Sequence, residues 1–85
     1  MGARDFDRAL GYAHRAVAAD PLDEAARRAL MRLYAALGRP AAAAEQLREF
    51  ERLRGEMGEG ASAPLRELAR RLAEGTDKEA DAPLM

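Results

Sequence analysis

Apolar side chains recur every three or four positions along most of this chain, which is the spacing of an amphipathic helix. The pattern predicts four helices, at residues 4–19, 22–37, 41–56 and 63–73. Their predicted inward-facing residues are Phe6, Ala9, Leu10, Ala13, Ala16 and Val17 in the first helix, Ala26, Ala29, Leu30, Leu33 and Leu37 in the second, Ala43, Leu47, Phe50 and Met57 in the third, and Leu65, Leu68, Ala69 and Leu72 in the fourth. The pattern stops after residue 73, and residues 74–85 are predicted to form a disordered acidic tail.

Turn-forming residues separate the first three predicted helices. Asp20 or Asp23 is suited to cap the second helix, and Pro21 is suited to its first position. Gly38 is expected to close that helix in a left-handed conformation, and Pro40 to begin the third helix. Connections this short predict antiparallel helical hairpins.

The composition predicts an all-α fold. The 85 residues include 21 alanines and 11 leucines, which favour helices, but only one valine and no isoleucine. There is no cysteine, which excludes disulfides and zinc–thiolate sites. No apolar run is long enough to span a bilayer, so we expect a cytoplasmic protein without a membrane partner.

Charge is distributed unevenly between the helical part and the tail. Residues 1–73 contain 13 arginines against 11 acidic residues, a net charge of +2, whereas residues 74–85 contain one lysine against four acidic residues, a net charge of −3. Nonspecific nucleic-acid binding requires a clear basic excess. The helical part is close to neutral, so direct nucleic-acid binding is disfavoured.

Side chains that carry out catalysis or hold metals are scarce. His14 is the only histidine, and we interpret it as a surface or boundary residue. The glutamates and arginines of the third helix, such as Glu45 with Arg48 and Glu49 with Arg52, have the spacing of surface ion pairs. We therefore expect no catalytic, metal or cofactor site, no small-molecule substrate and no enzymatic activity.

Four residues around the second connection are typical of a helical repeat. Leu30, Tyr34, Gly38 and Ala43 have the spacing of an apolar residue, an aromatic residue, a glycine and a small residue in a tetratricopeptide unit, and the chain resembles that family. The resemblance implies antiparallel helix pairs that stack as part of a right-handed superhelix.

A more specific resemblance covers residues 8–72. The run DPLDE at residues 20–24, the pair Leu33–Tyr34 and the pair Gly38–Arg39 are similar to the C-terminal part of the bacterial transcriptional activation domain. That domain is a tetratricopeptide-like module of SARP-type regulators, in which an upstream winged-helix domain usually binds DNA. The resemblance implies a module that binds a regulatory protein or a second copy of itself. The sequence leaves open whether this chain is a fragment of such a regulator.

Two surfaces are candidates for binding. The first is a groove on the second helix, comprising Arg27, Arg28, Arg32 and Ala35, in which arginines would pair with carboxylates of a partner. The alternative interpretation of these arginines is a solvated helix face.

The second candidate surface is a self-association stripe on the first helix, formed by Phe6, Leu10, Ala13 and Val17. A complete repeat unit would cover this stripe with a preceding helix. We therefore expect a homodimer.

The sequence leaves three functions to compare. The first is a protein–protein interaction module of a transcriptional regulator that does not contact DNA. The second is a stand-alone tetratricopeptide-like scaffold unrelated to transcription. The third, disfavoured by charge, is nucleic-acid binding through the arginine-rich face of the second helix.

Overall fold

The computed structural model describes residues 3–75, which form four helices and contain no strand. The helices are α1 (Ala3–Ala19), α2 (Glu24–Ala36), α3 (Pro40–Glu56) and α4 (Ala63–Glu74). The prediction of an all-α fold with four helices is confirmed. Most of the predicted tail lies outside the described residues. Its predicted start at residue 74 is wrong, because Glu74 is the last residue of α4 and Gly75 caps that helix.

The start of α2 shows which of two aspartates caps it. The Asp23 carboxylate accepts hydrogen bonds from the backbone N–H groups of Ala25, at 3.0 Å, and Ala26, at 3.4 Å. These N–H groups have no carbonyl partner within the helix, so the cap stabilises its first turn. Pro21 was predicted to occupy the first position of α2, but it lies in the turn before the cap.

The end of α2 confirms the prediction for Gly38, which has a φ of 76°. The N–H of Gly38 donates to the carbonyl of Ala35 and the N–H of Arg39 donates to that of Tyr34, at 3.0 and 2.8 Å. This pair of bonds is a Schellman motif, which satisfies the last helical carbonyls and reverses the chain. Pro40 then begins α3, as predicted.

The core lies among α2, α3 and α4. Its buried side chains are Met31, Ala43, Phe50, Leu65 and Leu68, and Leu22, Tyr34, Leu47, Ala69 and Leu72 pack against them. α2 is the central helix because it packs against each of the other three, and α3 also packs against α4. α1 packs against α2 alone among the described helices. The superhelical handedness implied by the tetratricopeptide resemblance stays a prediction.

Three of the residues predicted to face inward are exposed, namely Ala16, Ala29 and Met57. Met57 caps the C-terminus of α3 and its side chain is 67% exposed, because α3 ends before the position that would turn it inward. In α2 the buried face is turned away from Ala29 and toward Arg27 and Met31. The reason is that α2 must meet α3 and α4 as well as α1.

The interior of the described chain contains one arginine, Arg27, which is 2% exposed. Its guanidinium donates at 2.9 Å to the side-chain oxygen of Gln46 and at 2.9 Å to the carbonyl of Pro21. It also lies 5.7 Å from the ring centroid of Phe50, within cation–π range. Burial lowers the pKa of Arg27, although an arginine remains charged. Arg27 therefore links α2, α3 and the α1–α2 turn.

Candidate functional site

An open groove of about 200 Å³ lies between α2 and α4. Its walls are formed by two residues of α2 and four of α4, namely Arg28, Arg32, Pro64, Glu67, Leu68 and Arg71. Leu68 is 5% exposed and belongs to the core as well, so the groove has a rigid apolar floor. Three arginines and one glutamate give the lining a net charge of +2.

Arg28 is held on the α2 side of the groove by a glutamate one turn earlier. A guanidinium nitrogen of Arg28 lies 3.7 Å from a carboxylate oxygen of Glu24, and both side chains are about one-third exposed, at 39% and 34%. Glu24 also accepts a 2.5 Å hydrogen bond from the hydroxyl of Ser62, which caps α4. Glu24 therefore joins the orientation of Arg28 to the position of the first turn of α4.

The α4 side of the groove contains a carboxylate that is already neutralised. Glu67 accepts hydrogen bonds from Arg70 and from Arg71, the latter at 3.3 Å. The hydrogen bond from Arg70 is the main cause of the lowered pKa of Glu67, and the hydrogen bond from Arg71 adds to it. Because Glu67 is ionised and paired, it offsets part of the positive charge of the groove without abolishing it.

This arrangement is suited to binding carboxylates beside an apolar surface. An arginine carries five N–H donors in a planar fork, so Arg28 retains donors for a second carboxylate while it lies near Glu24. Leu68 and Pro64 offer apolar area between the arginines. A peptide segment with acidic and small apolar side chains matches both properties of the groove.

Only two of the four residues predicted to form the groove line it. Arg28 and Arg32 line the groove between α2 and α4, and their role in partner binding stays a prediction. The prediction for Arg27 is wrong, because this residue is buried and its guanidinium is bound inside the protein. Ala35 is half-buried and is not among the lining residues.

Sequence reasoning missed the α4 wall of the groove, which includes Glu67 and Arg71. The available signal was weak, since these residues have the spacing of an ordinary surface ion pair. Only the packing of α4 against α2 brings them opposite Arg28 and Arg32.

The predicted self-association stripe on α1 is partly internal. Ala13 is 8% exposed, so its inclusion as an accessible stripe residue is wrong: it faces α2, the one helix that packs against α1. Phe6, Leu10 and Val17 are half-buried. His14 is exposed, as predicted, and its Nε2 lies 2.9 Å from the hydroxyl oxygen of Tyr34, which fixes α1 on α2.

The described residues show neither a metal cluster nor a membrane-spanning helix. Within residues 3–75, no group of three or more histidine, cysteine or acidic side chains is placed to hold a metal ion. None of the helices formed by those residues combines the length and apolar character needed to cross a membrane.

The fold and the groove define a small helical domain with a binding surface, and comparison with known families identifies its type. The profile of the bacterial transcriptional activator domain family matches residues 2–73, which is most of the chain. The chain belongs to that family, which makes it an activation domain of a transcriptional regulator. Searches of curated proteins and of solved structures returned no match.

Proposed function

We propose that this domain is a protein–protein interaction module of a cytoplasmic bacterial transcriptional regulator, and that it acts by binding rather than by catalysis. The groove between α2 and α4 binds an acidic segment of a partner protein. The observation that carries this proposal is the convergence of Arg28, Arg32 and Arg71 around the apolar floor at Leu68. Membership of the activator domain family favours this role over that of a scaffold unrelated to transcription.

In this proposal the domain binds a partner protein and does not bind DNA. On α3, Arg48 pairs with Glu45 and Arg52 pairs with Glu49, each at 2.6 Å. Arginines neutralised in this way contribute little to the phosphate contacts on which nonspecific DNA affinity depends. A mobility-shift titration with duplex DNA at low salt is expected to show no complex, and a salt-dependent shift would favour DNA binding instead.

Binding of an acidic segment is tested with a defined probe. We suggest a fluorescein-labelled dodecapeptide of alternating glutamate and leucine, measured by fluorescence anisotropy. Replacing Arg28 and Arg32 by glutamine is expected to weaken binding at least about tenfold, which corresponds to about 1.4 kcal/mol. The matched control is Arg48→Gln/Arg52→Gln, which removes two arginines with the same spacing from α3.

The proposal predicts that the control variant binds as tightly as the unmodified chain. A peptide in which glutamine replaces glutamate is expected to bind weakly to every variant. Equal loss of affinity in the α2 and α3 variants would show that net charge alone attracts the peptide. No effect of the α2 substitutions would exclude the groove as the binding site.

Self-association is a second proposed function, favoured by the position of α1. Among the four described helices this one packs against one neighbour whereas α2 packs against three, and its side chains at Phe6, Leu10 and Val17 are only half-buried. A second copy of the chain would cover these side chains in a two-fold dimer. We retain this proposal without Ala13, which α2 already covers.

Light scattering coupled to size-exclusion chromatography tests self-association. At micromolar concentration the chain is expected to have the mass of a dimer, and Leu10→Glu is expected to convert it to a monomer. Ala16→Glu is the matched control, because Ala16 is exposed on the same helix. A monomeric mass for the unmodified chain would reject the dimer and would leave the groove proposal unaffected.

A further inference from the structure

We infer that residues 76–85 of this chain dock in the groove between α2 and α4 and compete there with the acidic segment of the partner. The segment TDKEADAPLM follows Gly75, the residue that caps α4. The inference rests on the proposed function of the groove, because it names an intramolecular ligand for the same surface. The segment is acidic, and its ten residues are long enough to reach across the groove.

The spacing of the acidic residues matches the spacing of the arginines. Asp77, Glu79 and Asp81 occupy alternate positions, so an extended segment would present all three carboxylates on one side. Successive carboxylates on that side would be separated by about 6.6 Å, since each extended residue advances about 3.3 Å. Arg28 and Arg32 are four residues apart on a helix, an axial separation of about 6 Å.

Charge complementarity favours this occupant. Residues 76–85 contain three acidic residues and Lys78, a net charge of −2, while the groove lining has three arginines and Glu67, a net charge of +2. In an extended segment Lys78 would lie on the side opposite the carboxylates and would not meet the arginines.

The connection between α4 and the segment is short enough for docking. Gly75 has a φ of 74°, a left-handed conformation that turns the chain away from the axis of α4. Pro64, at the far end of the groove wall, is eleven residues before Gly75, which is about 16 Å along the helix. Five extended residues cover that distance, so the proposed docking would bring Asp77 and Glu79 within the span of the groove and Asp81 to its far end at Pro64.

Docking in this way would make the segment an intramolecular competitor. A short tether gives a tethered ligand an effective concentration in the millimolar range, so even a weak contact fills the groove in the absence of partner. The partner segment must then displace it. The domain would bind weakly to scattered acidic peptides and respond only to a partner that offers further contacts.

Spin labelling of the full chain tests whether the segment occupies the groove. The chain has no cysteine, so Ala82→Cys provides a unique attachment site for a nitroxide. Docking is expected to broaden the amide NMR signals of α2 and α4 around the groove and to leave those of α1 sharp. The broadening is expected to disappear in Arg28→Gln/Arg32→Gln and to persist in Arg48→Gln/Arg52→Gln. Broadening that is uniform, or that survives loss of the groove arginines, would overturn the inference.

Competition provides the second measurement and separates this inference from the proposed function. Neutralising the segment with Asp77→Asn, Glu79→Gln and Asp81→Asn is expected to tighten binding of the glutamate–leucine dodecapeptide about tenfold, because the competitor is removed. If the neutralised and unmodified chains bind the peptide equally well, and binding still requires Arg28 and Arg32, the inference is overturned and the proposed function stands. Failure of the peptide to bind any variant, with groove-dependent broadening retained, would overturn the proposed partner instead.

Discussion

Two sides of α2, one toward α3 and α4 and one toward α1, are stabilised differently. Toward α3 and α4, α2 contributes Met31 to a closed apolar cluster and Arg27 to a buried hydrogen-bonded contact. Outside that cluster Leu30 and Ala13 are also buried, but Phe6, Leu10 and Val17 of α1 are half-buried and the contact between His14 and Tyr34 is exposed. The first region is an apolar cluster shared by three helices, and the second is a contact between two helices.

This difference suits the two sides of α2 to different roles in binding. The packing of α4 on α2 sets the separations of the groove arginines, and recognition of a spaced ligand requires such defined positions. Among the described helices α1 packs against α2 alone, and we propose that its other side contacts a second molecule. We therefore expect substitutions in the core to unfold the whole domain, and substitutions at the α1 interface to act locally.

The largest expected effect is at the centre of the core. Phe50→Ala removes a side chain that is fully buried between α2, α3 and α4, and we expect it to destabilise the domain by about 3–5 kcal/mol. Urea unfolding followed by circular dichroism provides the measurement. Met57→Ala on the same helix is the control and is expected to change stability by less than about 0.5 kcal/mol, because Met57 is exposed. Similar values for the two variants would contradict the assignment of the core.

The second prediction separates the buried arginine from its neighbour. Arg27→Met leaves the carbonyl of Pro21 and the side chain of Gln46 without their donor, which is expected to cost about 2 kcal/mol. Arg28→Met breaks a partly exposed ion pair and is expected to cost less than about 1 kcal/mol. Urea unfolding of the two variants measures both losses of stability. A larger cost for Arg28→Met would reverse the assignment of structural and binding roles.

The third prediction concerns the attachment of α1. Tyr34→Phe keeps the ring but removes the hydroxyl that meets His14, and is expected to cost about 0.5–1 kcal/mol. Amide hydrogen exchange is expected to accelerate in α1 and to stay unchanged in α3 and α4. Tyr12→Phe serves as the control, since Tyr12 is 64% exposed. Uniform acceleration in all helices would mean that α1 unfolds together with the core.

The smallest effect is a dependence of stability on pH. The Glu51 carboxylate accepts hydrogen bonds from Arg66 and from the N–H of Ser62, and the Arg66 contact is the main cause of its lowered pKa. A lowered pKa in the folded state means that the contact stabilises above the unfolded pKa, near 4.3, and is lost as pH falls below the folded value.

Glu51→Gln is therefore expected to be less stable than the unmodified chain at about pH 6, with the difference shrinking toward about pH 3. Urea midpoints across this range provide the measurement. Glu45→Gln removes an exposed pairing on the same helix, with Arg48, and is the control. A difference that grows at low pH would have the wrong sign for this contact.

Much of the local structure was predictable because its causes are local. Gly38 and Pro40 mark the end of α2 and the start of α3 through their own backbone preferences. The position of Pro21 was predicted wrongly because two aspartates were available as caps. Asp23, the one nearer the helix, is the residue that forms the cap.

The candidate site was predictable only in part. The spacing of Arg28 and Arg32 places both on one side of α2, and this part of the groove followed from the sequence. Arg27 lies next to Arg28 in the chain, yet it is buried because α3 supplies Gln46 and the α1–α2 turn supplies a carbonyl. No periodicity of α2 itself contains that information.

By itself the sequence determined the four helices, the turn that ends α2 and begins α3, the charge of the segment after α4 and the resemblance to the activator domain family, since these depend on neighbouring residues and motifs. Tertiary structure alone decided that Arg27 is internal, that Ala13 is covered, and that Glu67 and Arg71 complete the groove. These outcomes depend on which helices surround α2. A side chain is buried or exposed according to what lies opposite it, and three neighbouring helices bury a wider arc of α2 than its apolar residues mark.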